Sequence, residues 1–462
     1  MAGFSIENFG CRAARADGEA IAGRLRVLAE GQPLASDVVV VNTCSVTAEA
    51  DRAARAFIRR AHRRNPAARI VVTGCYAQRA PQELAGLPGV TAVVGNSHKA
   101  LAPEIIFSLA HGSVTAPSPS FIPVASLFSA STAHSVPVWA DDRFAHSFLE
   151  DLQLTPGAQT RPNLKIQEGC GNRCTFCVIP LTRGPSRSLP RAVVLRHVEG
   201  FVASGGKELV LSGINLGRWG RDISSGQARE DLAGLVRDLL KQTSLPRLRL
   251  SSIEPMDWDN NLIDLLNEFG GSRLARHAHL PLQSGSDAVL RRMHRRYRPW
   301  HYADKVSALF SAAGPDLTLG ADVMVGFPGE SDREFDETLA FVREMPFGYL
   351  HLFPFSPRPG TPGWALNQSW PVPPAAVEER MTALRIVAAD KTLAHRSRFI
   401  GQDLAAITLH TPEAVAKLGC TAALSENFVP INLGGHIPAN QLLDVRITGV
   451  HSDGSLAGIP SH

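Results

Sequence analysis

The spacing of apolar and polar positions changes character several times along the chain. Near the N-terminus two short apolar runs, DVVVVNTC (37–44) and RIVVTGC (69–75), have the length and β-branched content of buried strands. A weaker run, FSIENFGC (4–11), precedes them. The stretches between, DGEAIAGRLRVLAEG and AEADRAARAFIRRAHRRNP, carry apolar residues at helical spacing, and Pro66 stops the second. Strands alternating with helices predict a small parallel α/β domain over 1–111. Cys11, Cys44 and Cys75 would then lie at the carboxyl ends of adjacent strands, the edge where ligands gather in such sheets.

From 112 to 160 the periodicity fades into Ser, Thr, Pro and Ala, which reads as a linker or insertion. A second pattern then begins. Six strand-like runs follow: LKIQ (164–167), ELVLSG (208–213), RLRLSS (247–252), HLPLQ (279–283), LGADVMVGF (319–327) and YLHLFPF (349–355). Amphipathic stretches such as DLAGLVRDLLKQ (231–242) and REFDETLAFVREM (333–345) separate them. Six βα units in succession predict a barrel or an open barrel over 161–395, with Asn215, Ser252, Glu254, Gln283 and Ser284 on the rim where chemistry sits. The remaining 396–462 breaks into short pieces, DLAAITLH, NFVPINL and LLDVRITGV, with Gly, Asn and Pro in the turns, and predicts a small β-barrel. The fold class is α/β in three parts.

Composition narrows the function. The 462 residues are 44% hydrophobic and 19% charged, as in ordinary globular proteins. A net charge of +4 excludes a polycation, so any contact with nucleic acid must come from local patches. Two candidates are Arg52, Arg55, Arg59, Arg60, Arg63 and Arg64 on one helix, and Arg291, Arg292, Arg295, Arg296 and Arg298 on another segment. Either patch reads equally well as a solvated face. No apolar run reaches the ~18 residues of a membrane span, and MAGFSIENFGCR lacks the basic start and apolar core of a signal peptide. A cytoplasmic setting is expected, where thiols serve as ligands or nucleophiles rather than as disulfides.

The cysteines fall into two sets. CGNRCTFC places Cys170, Cys174 and Cys177 directly after the first barrel strand. Closely spaced loop thiolates hold iron–sulfur clusters, and three ligands leave one iron of a cubane open for chemistry. A structural zinc site is the alternative, but no second close pair of cysteines accompanies the triplet. Cys11, Cys44 and Cys75, taken alone, read equally as buried small hydrophobes; Cys420 reads as a packed thiol.

CxxxCxxC on the loop after the first strand of a βα barrel resembles the radical S-adenosylmethionine (SAM) superfamily motif. The resemblance implies that the open iron binds the amino and carboxylate groups of SAM, and that one-electron reduction cleaves it to methionine and a 5′-deoxyadenosyl radical. SGGKELVLSGIN (204–215) looks like the glycine-rich strand supporting the methionine end, with Gly205, Gly206 and Glu208 as contacts. Ser252, Glu254 and Gln283 are the other implied cofactor contacts.

With the N-terminal cysteines added, the chain resembles the methylthiotransferase family, in which such a triplet holds a second 4Fe–4S cluster. RLSSIEP (249–255), HLPLQSGSDAVLRRMHRRYR (279–298), ADVMVGFPGESDREFDET (321–338) and HLFPFSPRPGTP (351–362) are similar to that family's barrel blocks, and the tail to its RNA-binding TRAM domain. NTCSVTAEADRAARAFIRRAHRRNPAARIVVTGCYAQ (42–78) most resembles the type acting on threonylcarbamoyladenosine in tRNA, as does KIQEGCGNRCTFCVIPLTRGPSRS (165–188). Types acting on isopentenyladenosine in tRNA or on an aspartate of a ribosomal protein are the alternatives. The implied partners are tRNA, an electron donor such as a flavodoxin or ferredoxin, and a sulfur source. One departure stands out: where the family shows Asn and then Glu shortly after the first cysteine, this chain has Ala14 and Asp17. A reading from another class is an RNA-binding module whose clusters are structural or redox-sensing.

Overall fold

The computed structural model describes residues 3–34, 36–112, 136–145, 160–225 and 228–461. The chain divides into two compact units. The first comprises 1–153 together with 168–171 and 178–185; the second comprises 154–167, 172–177 and 186–462.

In the first unit, strands β1 (Phe4–Asn8), β2 (Val38–Thr43), β3 (Arg69–Gly74), β4 (Val90–Gly95) and β5 (Val138–Trp139) form one parallel sheet in chain order. Helices α1 (Arg12–Gly31), α2 (Ala48–Arg64), α3 (Cys75–Arg79), α4 (Pro81–Ala85) and α5 (Ala102–Ala110) connect or follow the strands. Side-chain alternation divides the valines between two cores. Val40 and Val71 pack with Ile21, Leu25 and Ile106, while Val41 and Val72 pack with Ile58, Tyr76 and Leu84. A sheet covered on both faces needs apolar residues at successive positions, which is why β2 reads as an unbroken run. Local chemistry fixes the start of α2: Thr47 accepts the Ala50 N–H, with Glu49 and Asp51 in the first turn. The fourth strand, VTAVVG, escaped the sequence reading. Val138–Trp139 adds a fifth inside the stretch read as linker; 113–135 and 146–159 of that stretch lie outside the described residues.

In the second unit, six parallel strands follow one another in space as in sequence: β6 (Asn163–Glu168), β8 (Glu208–Gly213), β11 (Arg247–Leu250), β12 (His277–His279), β13 (Thr318–Val325) and β14 (Phe347–Pro354). They form two sheets, joined by bridges Leu248↔Leu274 and Ser252↔His279. Short β7 (Arg187–Ser188) extends the first sheet, and β9 (Ser224–Ser225) with β10 (Ala228–Arg229) makes a small hairpin. This is the expected open six-unit barrel.

The tail closes into a five-stranded barrel of β15 (Asp403–Thr408), β16 (Cys420–Ser425), β17 (Pro430–Gly434), β18 (Leu442–Val450) and β19 (Leu456–Pro460). It is no free appendage. The turn between β16 and β17 reaches the starting end of the parallel strands: Arg249 donates to the Ser425 carbonyl at 3.2 Å and Arg276 to the Glu426 carboxylate at 2.7 Å. Phe428 stacks on His277 with ring centres 4.2 Å apart. The polar loops that follow the strands lie at the opposite edge.

Candidate functional site

The first unit brings its three thiols to one sheet edge. Cys11 follows β1 and caps α1, Cys44 follows β2, and Cys75 opens α3 directly after β3. Two glycines permit the close approach. Gly10 has φ +112°, and a Cβ there would lie 2.6 Å from the Cys44 sulfur; Gly74 has φ +101°, and a Cβ would lie 2.3 Å from the Thr43 carbonyl oxygen. Burial pushes the Cys44 thiol up to about 12, and the neighbouring Cys11 and Cys75 thiols add to the shift. Three thiols crowded together resist ionising as lone anions, whereas a bound metal deprotonates thiols outright. All three are free of disulfides. The donor set therefore fits a thiolate-held iron–sulfur cluster.

A buried charged network surrounds Cys75. Arg183 Nε donates to its sulfur at 3.2 Å and Asn96 Nδ2 at 3.3 Å. The other guanidinium nitrogens of Arg183 donate to Glu168 at 2.7 Å and Asp17 at 3.1 Å. Lys99 adds a second cation, 2.5 Å from Asp17 and 4.0 Å from Glu168. None of these four charged side chains is more than 1% exposed. Burial opposes the charge on Arg183, but Cys75, Glu168 and Asp17 outweigh it and hold the guanidinium firmly protonated. Asp17 supplies the carboxylate that joins both cations, while Ala14 contributes only its carbonyl, which accepts from Asn42 at 2.5 Å. Cys170 belongs to the same unit, and its N–H donates to the Gly184 carbonyl at 3.0 Å.

The second unit holds Cys174 and Cys177 in one turn, the Cys177 N–H donating to the Cys174 carbonyl at 3.1 Å. Arg295 donates to the Cys174 sulfur at 3.2 Å, to Glu254 at 2.5 Å and to the Tyr297 hydroxyl at 3.1 Å. Cys174, Glu254 and Arg295 line one small cleft with Asn172, Met256 and His294. Glu254 is thus brought to the cysteine loop through an arginine. Ser252 and Gln283 stand on the same strand-end edge, after β11 and β12. Gln283 has φ +65°, an uncommon conformation for a side-chain-bearing residue, and its Oε1 is buried without a hydrogen-bond partner among the described residues. An orphaned buried acceptor at this edge fits a ligand-facing role.

Gly205, Gly206 and Glu208 do not fit the cofactor role read for them. They precede β8 or open it, so they lie at the strand-start end, opposite the cysteine loop. Glu208 is fully buried and accepts from Arg249 at 2.8 Å, Arg161 at 3.3 Å and Arg247 at 3.4 Å. Burial would raise its carboxyl, but the three arginines, Arg249 foremost, bring it down to about 2. Gly205 gives its carbonyl to Asn440 of the tail, and Gly206 leaves room for the Phe201 ring. Their position after the cysteine triplet suggested a cofactor cradle; strand direction put them at the other end.

Several site residues escaped the sequence reading. Arg295 was counted in a basic patch, yet its side chain is only 4% exposed. Its neighbours Arg291 and Arg298 pair with Asp287, and Arg292 pairs with Glu334. A charge run does not tell which arginine turns inward. His279 and His351 both reach one oxygen of Asp322 at 3.2 Å. Burial would raise the Asp322 carboxyl, but the two imidazoles hold it well below the usual carboxylate range.

The model of "Uncharacterized protein family UPF0004" matches residues 3–95, and the Radical SAM superfamily model matches 164–342. The threonylcarbamoyladenosine tRNA methylthiotransferase MtaB of Aquifex aeolicus is 32% identical, over 96% of this chain and 99% of the relative. The protein of that name from Bacillus subtilis is 38% identical over 71% of this chain and 67% of its own. The tRNA-2-methylthio-N(6)-dimethylallyladenosine synthase of Erythrobacter litoralis is 34% identical over 83% and 81%. Among solved structures, the radical SAM methyltransferase TsrM from Kitasatospora setae, with a [4Fe-4S] cluster bound, shares the fold at TM-score 0.50 and 17% identity, covering 71% of this chain and 65% of that one. With two thiol sets at strand ends and relatives matched along nearly its whole length, the chain belongs to the radical SAM methylthiotransferase family.

Proposed function

We propose that this protein converts N6-threonylcarbamoyladenosine at position 37 of tRNA to its 2-methylthio derivative. The observation carrying the proposal is the second thiol set: a radical SAM barrel needs one group of three cysteines, and Cys11, Cys44 and Cys75 add another at a separate sheet edge. Relatives named for this reaction align almost end to end with the chain. In this reading Cys170, Cys174 and Cys177 hold the 4Fe–4S cluster that binds SAM, and Cys11, Cys44 and Cys75 hold the second, which carries the sulfur to be transferred. When bound, these groups supply a carbon-centred radical able to remove hydrogen from C2 of the base, and a methylthio group to replace it.

The chain's own residues bind and orient. Arg295 keeps Cys174 and Glu254 in one arrangement, so that Glu254 faces the cleft beside the cysteine loop with its charge balanced. Ser252 and Gln283 offer polar groups on the same edge. The exposed arginines of α2 (Arg52, Arg59, Arg60, Arg63 and Arg64) form the basic face on which tRNA phosphates would rest. An electron donor of the flavodoxin or ferredoxin kind and a sulfur source complete the cycle, in the cytoplasm; no described helix is long and apolar enough to cross a membrane.

A second reading has a specific observation behind it: relatives named for the dimethylallyladenosine product match at 34% and 32% identity. Mass spectrometry of tRNA nucleosides from a deletion strain separates the two. Loss of the methylthio group from threonylcarbamoyladenosine alone supports the proposal, and loss from the isopentenyl nucleoside overturns it.

A further inference from the structure

The charged network around Cys75 is expensive to build. Two cations and two carboxylates are withdrawn from water, and such sets contribute little net stability over apolar packing of the same volume. Yet one side chain in it touches three separate parts of the first unit. Arg183 reaches Cys75 after β3, Asp17 on α1, and Glu168, two residues before Cys170. The next residue, Gly184, takes the Cys170 N–H. The planar fork of a guanidinium can serve three acceptors in fixed directions, which a lysine ammonium on a flexible stem cannot.

We propose that Arg183 is a positioning residue that sets the reduction potential of the cluster held by Cys11, Cys44 and Cys75 and fixes Cys75 relative to the segment carrying Cys170. The assignment rests on the reading of those three thiols as cluster ligands. Hydrogen bonds and positive charge at a ligating sulfur favour the reduced, more negative cluster and so raise its potential. Arg183 provides both at Cys75, and neither side chain is more than 2% exposed. Asn96 provides a neutral hydrogen bond to the same sulfur. Lys99 contributes its charge through Asp17. The carboxylates keep the guanidinium aligned, so that its Nε–H is directed to sulfur while both terminal nitrogens are occupied.

The test uses the full chain carrying Cys170→Ala, Cys174→Ala and Cys177→Ala, reconstituted anaerobically, so that only the second cluster reports. Iron content and the midpoint potential from EPR-monitored titration are measured with Arg183 intact and in Arg183→Met, Arg183→Gln and Asn96→Leu. Arg183→Met is expected to keep its iron and lose tenfold or more in the reduction equilibrium, which is 59 mV for one electron. Asn96→Leu should move in the same direction by less. Iron retained at an unshifted potential in Arg183→Met overturns the proposal. If that variant fails to fold, Arg183→Gln decides, because it removes the charge while keeping a polar side chain; a wild-type potential there equally overturns it. Absence of iron from the background protein itself would instead sink the reading of Cys11, Cys44 and Cys75 as a cluster site.

Discussion

Replacing Glu208 with glutamine separates a structural carboxylate from a cofactor ligand. The side chain is fully buried among Arg249, Arg161 and Arg247, and its carboxyl is brought from the usual 4.5 to about 2. That difference corresponds to about 3 kcal/mol of stability at neutral pH. Removing the charge also leaves buried arginines short of a partner, which places the loss at about 3–5 kcal/mol. For a unit of this size it amounts to a fall of roughly 5–10 °C in melting temperature. The sign follows from the direction of the shift. A depressed carboxyl contributes fully above its unfolded value near 4.5, and the contribution disappears as pH falls through the folded value near 2. Melting of the metal-free wild-type and Glu208→Gln proteins should therefore differ by a constant amount from neutral pH down to about 5, and the gap should narrow below that. SAM affinity of the folded, cluster-loaded variant should match the wild type, because Glu208 lies at the far end of β8. A tenfold loss of SAM affinity with unchanged melting would refute this reasoning and restore the role read from sequence.

Three other outcomes are expected. Cys44→Ala should lower bound iron from about eight to about four atoms per chain and abolish methylthio transfer while SAM cleavage persists, which iron analysis and product assays measure together. Reversing charge at Arg59, Arg60 and Arg63 on the exposed face of α2 should weaken tRNA binding across sequences and reduce the salt slope by about one for each phosphate no longer neutralised; an unchanged slope would remove α2 from the interface. Phe428→Ala deletes the ring stacked 4.2 Å from His277 and should cost about 2 kcal/mol, given that the side chain is only part-buried. Limited proteolysis between the helix Pro374–Ser397 and β15 should then accelerate, whereas unaltered cleavage would mean that the turn carries no load.

Much of the fold was legible in the chain because its signals are local. The unbroken valines of β2 and β3 report a sheet covered on both faces, and CGNRCTFC reports a ligand loop within eight residues. The cysteines at the ends of β1, β2 and β3 could be placed at one edge because parallel strands all run the same way. The fourth strand was missed since VTAVVG follows the short helix α4 and a tight turn, without the long helical stretch that marks the other units.

Periodicity, turn residues and spacing along the chain were enough to give most of the element types, the six-unit barrel with its β-rich tail, and the two sets of thiols. Tertiary structure decided which charges act. Asp17, Lys99, Glu168 and Arg183 are scattered over more than 160 positions and meet only when α1, the segment after β4, residues 168–171 and the turn before Gly184 pack together within the first unit. Arg295 is one arginine in a run of several, and only packing turns it toward Cys174. Glu208 looked like a ligand because it follows the cysteine triplet in sequence, yet strand polarity carried it to the closed end. Order along a chain fixes which residues are near in sequence; the direction of each strand and the burial of each charge fix which of them can meet a cofactor.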